Sequence, residues 1–104
     1  MKESLSPSID SFLSMVAVEQ GLARNTVEAY SRDLSQLADF LLSKRVCAWR
    51  EVEPVHIRAY LSHLRTQGLS PRTVARRVVT LRRLYRFLET EGQVSASPLP
   101  FLHL

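Results

Sequence analysis

The sequence predicts an all-α protein of four helices, arranged as two helical hairpins packed on each other in one core. Three observations carry this. Apolar residues recur at spacings of three and four through most of the 104 residues, the period of a helix with one buried face. Only three glycines occur, Gly21, Gly68 and Gly92, and each follows such a stretch, where a helix C-terminus favours a residue at ease with positive φ. A shift of 47 positions also lays one long segment onto another, matching Gly21 with Gly68, Thr26 with Thr73, Leu34 with Leu81, Leu37 with Leu84 and Leu41 with Leu88. Two copies are too few for a solenoid and read instead as paired hairpins.

The first helix is expected to start near Ser6 or Ser8, with Pro7 in its first turn, and to bury Ile9, Phe12, Leu13 and Val16 before Gly21. The second is expected to begin at Asn25, whose side chain can cap first-turn amides, with Glu28 three residues on completing a capping-box-like pattern. Its inner stripe is Tyr30, Leu34, Leu37 and Leu41. The third helix takes Pro54 at its first position behind Glu53, a poor cap, and buries Ile57, Tyr60, Leu61 and Leu64 up to Gly68. The fourth opens with Ser70 as cap and Pro71 behind it, and its stripe is Val74, Val78, Leu81, Tyr85 and Leu88, ending at Gly92. Ser95, Ser97, Pro98 and Pro100 then read as an extended exit segment, since proline cannot continue a helix.

Composition narrows the function. At 45% hydrophobic the chain can bury a core as one domain without metal or disulfide support. Cys47 stands alone, which excludes an intramolecular disulfide and suits a reducing cytoplasm. No apolar run reaches the ~20 residues of a membrane span, and the N-terminus lacks the order of a signal peptide. The expectation is a soluble, cytoplasmic protein with no membrane partner.

Charge is divided unevenly. Residues 1–53 hold six Lys or Arg against eight acids, and residues 54–104 hold eight against two. From Pro54 to Leu88 there is no Asp or Glu, yet Arg58, Arg65, Arg72, Arg76, Arg77, Arg82, Arg83 and Arg86 all fall there. Like charges at helical spacing repel, so a polyanion is the simplest partner that makes the arrangement favourable. With Val74 at zero and 100° per residue, Arg72, Arg76 and Arg83 fall at about 160°, 200° and 180°, opposite the apolar stripe. Arg86 lies at one edge of this arc, Thr73 near the other, and Arg77 and Arg82 stand closer to the core boundary. Such a face fits a major groove, presenting guanidinium forks to phosphates and guanine edges. A merely solvated basic face is the plainer alternative, and a helical protein-interaction module that binds an acidic partner through the arginine face is the rival from another class. Ser70 and Thr73 stand at the helix entrance, where free amides can hold a phosphate. Asn25 and Thr26 stand at the comparable entrance of the second helix, and there cap and contact fit equally.

Other chemistry is sparse. His56 and His63 share a helix with no Cys, Asp or Glu to complete a metal set, and His103 is isolated, so structural histidines are expected and neither metal nor cofactor is implied. Trp49 reads as a core plug, and Tyr30, Tyr60 and Tyr85 as packing residues. No nucleophile, base and oxyanion donors can be assembled, so no enzyme is expected in this chain.

Taken together, GLARNTVEAYSRDLSQLADFL at 21–41, IRAYLSHL at 57–64 and GLSPRTVARRVVTLRRLYRFL at 68–88 resemble the N-terminal core-binding domain of tyrosine recombinases, nearest to the bacterial Xer type of the phage-integrase family. The likeness spans roughly residues 6–100. It implies a SAM-like four-helix bundle forming half of a clamp around duplex DNA, with the second and fourth helices crossing the major groove of a recombination half-site. It also implies partner recombinase subunits in a tetrameric synapse, assembled partly through the first helix. Carried onto this sequence, the implied DNA contacts are Asn25, Thr26, Arg72, Thr73, Arg76, Arg77 and Arg82, with Arg24, Arg32 and Arg83 beside them. Two positions depart from the family's pattern: Glu53 stands where a Thr or Ser cap is usual, and Val79 where a Ser is common. The family's nucleophilic tyrosine and its supporting residues belong to a separate C-terminal domain, so residues 1–92 read as the DNA-binding domain and 93–104 as a linker toward it.

Overall fold

The apolar stripes become helices in the computed structural model, which describes residues 2–99. In chain order these are α1 (Lys2–Val18), α2 (Arg24–Ser43), α3 (Pro54–Thr66) and α4 (Pro71–Thr90), with a 3-10 turn over Trp49–Glu51 ahead of α3. No strand occurs among the described residues, so the all-α expectation stands. The chain divides between Ala48 and Trp49 into two units, each built on one helical hairpin.

In the first unit α1 packs against α2. Leu5, Ile9, Phe12 and Val16 are buried on α1, and Tyr30, Leu34, Leu37, Ala38 and Leu41 on α2. The Phe12 and Tyr30 rings stack with centroids 6.4 Å apart and planes 11° from parallel. Helix α1 starts earlier than expected, so Pro7 lies inside it rather than in its first turn. Proline there forfeits one backbone bond, and full burial of Leu5 offsets the loss with about 1.5–3 kcal/mol. Leu13, expected in the core, is only half-buried.

The expected cap of α2 is also corrected. The helix begins at Arg24, Ala23 is the N-cap and has no side-chain cap bond, and Asn25 lies inside the first turn. Glu28 closes no capping box; its Oε1 accepts from Arg24 Nε at 3.1 Å. At the other end the chain turns through Arg45 at φ 63°. Arg45 N–H donates to Leu42 O and Val46 N–H to Leu41 O, both at 2.9 Å. This is a Schellman turn in which arginine occupies the position that glycine normally takes.

In the second unit α3 packs against α4. Ile57, Tyr60, Leu61 and Leu64 are buried, as are Val74, Val78, Leu81, Leu84, Tyr85 and Leu88. Trp49 is buried as expected, and it meets Tyr85 edge to face with centroids 6.0 Å apart. Tyr85 does more than pack. Its hydroxyl donates to the Trp49 carbonyl at 2.8 Å, tying the 3-10 turn to α4, and burial pushes its phenol well above the ordinary tyrosine range.

Helix α3 starts better than Glu53 alone suggests, because His56 Nδ1 accepts from the Glu53 N–H at 2.9 Å and completes a capping box. Ser70 caps α4 as expected, its Oγ accepting from Thr73 N–H at 3.1 Å. Gly92 has φ 73° and closes α4 in the same Schellman geometry that Arg45 forms, with Gln93 N–H donating to Leu88 O at 2.9 Å. From Gln93 to Leu99 there is no regular secondary structure, yet Val94, Pro98 and Leu99 are buried. Pro100 and His103 lie outside the described residues.

Candidate nucleic-acid interface

Burying Val74, Val78, Leu81, Leu84 and Leu88 forces the opposite arc of α4 into solvent, and Arg72, Arg76, Arg83 and Arg86 are all exposed there. The wheel drawn from the sequence therefore holds for these four. Arg77 and Arg82 are half-buried at the flanks. Arg77 is turned toward α3, where its Nη1 lies 3.5 Å from the Tyr60 hydroxyl. It packs in the hairpin rather than projecting from the arc. Arg82 joins Arg86, Glu89 and Thr90 along an open cleft of about 730 Å³, closed on its other side by Ala96, Ser97 and Leu99.

The helix entrances exchange the roles that the sequence suggested. At α4, Pro71 has no N–H, Thr73 N–H is taken by Ser70 Oγ, and the Ser70 hydroxyl donates to Thr73 Oγ1 at 3.0 Å. Only the Arg72 amide is left to an anion in that turn, so the expected phosphate cradle is mostly filled by the protein's own cap. At α2, Ala23 has no polar side chain to offer the amides of Arg24, Asn25 and Thr26. Arg24 and Asn25 are exposed and Thr26 half-buried, with Arg32 exposed two turns on. Arg24 is held by Glu28 only as a surface ion pair, with the arginine side chain 90% exposed, an association worth a few tenths of a kcal/mol that a phosphate can displace.

Sequence reasoning missed three features: the Arg77–Tyr60 contact, the Tyr85–Trp49 bond and the place of Arg86 beside Arg82 in the cleft. Only the last left a signal, the spacing of four between those arginines. No three His, Cys, Asp or Glu side chains come together as a metal set among the described residues. No helix there is long and apolar enough to cross a membrane.

Residues 9–92 match the family described as phage integrase, N-terminal SAM-like domain. The chain belongs to that family. Relatives of this phage-integrase domain include tyrosine recombinase XerC of Oceanobacillus iheyensis, 41% identical over 96 residues, which are 92% of this chain and 32% of the relative. Tyrosine recombinase XerD of Brucella abortus is 41% identical over 103 residues, 99% of this chain and 32% of the relative. XerC of Roseiflexus castenholzii is 35% identical over 94 residues, 90% of this chain and 30% of that protein. The integrase-type chain thus spans about a third of the length of these curated relatives. No solved structure matches it significantly.

Proposed function

We propose that this chain is the DNA-binding module of a site-specific tyrosine recombinase, with α2 and α4 docking in the major groove of a recombination half-site. The observation that carries the reading is the exposed arc of Arg72, Arg76, Arg83 and Arg86 on a helix within a stretch free of acids from Pro54 to Leu88. A helix about 10–12 Å across fits a groove of about 12 Å, and guanidinium forks match phosphate oxygens in pairs. Thr73 and Arg82 flank the arc, Arg77 positions α4 against α3, and Arg24, Asn25, Thr26 and Arg32 supply backbone contacts from α2. Strand cleavage and tetrameric assembly belong to a parent enzyme with a catalytic domain, acting on DNA in the cytoplasm.

The test is a fluorescence anisotropy titration of a labelled duplex at several salt concentrations. Neutralising about four to six phosphates gives a slope of log affinity against log salt near −4 to −5, and Arg76→Ala brings it about one closer to zero while the domain stays folded. Effective competition by an acidic polypeptide, or a slope unchanged by Arg76→Ala, would overturn the groove docking and point to a protein partner.

A further inference from the structure

Val79 is out of place on a face that otherwise carries guanidinium groups. It is 44% exposed, one of three large hydrophobic residues so exposed among those described. On the same wheel it falls at about 140°, inside the arc from Arg86 at about 120° to Arg76 at about 200°. Arg76 and Arg83 are its neighbours at three and four residues, and Arg72 and Arg86 stand seven residues either side. Helix stability does not account for it, since a β-branched residue at an exposed helical site is less favourable than alanine. Exposed Ala75, one turn before it, extends a narrow apolar strip between the charged side chains.

We infer that Val79 is a specificity-determining contact that packs against the 5-methyl group of thymine in the major groove. The inference rests on α4 docking in that groove. Long guanidinium side chains reach out to phosphates on either wall, while a side chain as short as valine meets only what lies directly beneath the helix, the base edges. Of the groups displayed there, the thymine methyl is the apolar one, and apolar side chains read it by contact. Arginines around it bring the helix down and exclude water, so that the small apolar patch is desolvated when bound.

The test separates this contact from groove docking itself. A randomised duplex library is selected on the 104-residue chain at low salt, and the enriched pool is re-amplified with dTTP or with dUTP, which removes only the methyl groups. The wild-type chain is expected to bind the uracil pool about three- to fivefold more weakly, the worth of one buried methyl. Val79→Ala is expected to bind the thymine pool more weakly and to show little difference between pools, with helicity and salt slope unchanged. Equal affinity of the wild type for both pools, or an equal drop in Val79→Ala, overturns the inference and leaves groove docking intact. Failure to bind any pool overturns the docking and the inference together.

Discussion

Helices α2 and α4 are each 20 residues long and coincide under the 47-residue shift from first residue to last, yet nearly every surface device on them differs. Their cores are shared: Leu34, Leu37 and Leu41 fall on Leu81, Leu84 and Leu88, all buried. Their ends are not. Uncapped Ala23 falls on the capping Ser70, and Arg45 in a left-handed turn falls on Gly92. Exposed Arg32 falls on exposed Val79, and buried Asp33 on buried Thr80, whose hydroxyl donates to the Arg76 carbonyl. The first helix of each pair follows a different register. Ile9, Phe12 and Val16 fall on Ile57, Tyr60 and Leu64 only under a shift of 48. The odd residue is absorbed in the connection, where Leu22 N–H reaches back to Val16 O but Leu69 N–H to Leu64 O, one position nearer. The comparison teaches that the leucine spacing was kept through the second half of the helix, while in the first half buried Tyr30 falls on Arg77 and exposed Ser31 on buried Val78. Caps, turns and charge diverged freely, as expected when burial dominates stability and surface changes cost little.

The sharpest way to break the equivalence is in the cores. Leu41→Ala and Leu88→Ala, both at fully buried positions, should each cost about 2–5 kcal/mol in urea denaturation. A cost far smaller in one than in the other would show that the two hairpins do not share a core logic. Next comes the tie that only the second hairpin has. Tyr85→Phe should lose about 0.5–1.5 kcal/mol, the net worth of one hydrogen bond, because the Trp49 carbonyl keeps only the longer bond from the Val52 N–H at 3.3 Å. Since burial raises the folded-state pKa of this phenol, its contribution is complete below the unfolded tyrosine pKa of about 10 and is lost as pH rises beyond it. The wild type should therefore lose stability above that pH more steeply than Tyr85→Phe.

Exchanging the caps is a smaller test. Ser70→Ala should destabilise by about 1 kcal/mol and Ala23→Ser should gain a comparable amount, both read as midpoint shifts in denaturant. The smallest effect is expected at the C-termini. Arg45→Gly relieves a left-handed non-glycine residue and should gain about 0.5–1 kcal/mol. Gly92→Ala, where an added Cβ meets nothing within 4 Å, should lose about 1 kcal/mol from backbone strain alone. A loss on Arg45→Gly would mean that the arginine side chain stabilises that turn.

What can be read from the residues alone follows the same physics. Stripes such as Val74, Val78 and Leu81 were legible because burial repeats with the helical period, and Ser70–Pro71 because a cap followed by proline has few other uses. The start of α1 was not legible, because Leu5 in the core outweighs the break that Pro7 advertises. Asn25 misled for a related reason: a residue suited to capping also serves inside a first turn when the helix is held by packing. On α4 the exposure of Arg72, Arg76, Arg83 and Arg86 was legible from their angles alone. Arg77 needed Tyr60, a partner 17 positions away that no local pattern reveals.

The burial of Val94, Pro98 and Leu99 has a mechanical consequence. A chain leaving a helix through exposed serines can swivel at once, but here three apolar anchors hold the segment as it departs. Rotation or tension applied downstream is therefore delivered to the base of α4 as to the root of a lever.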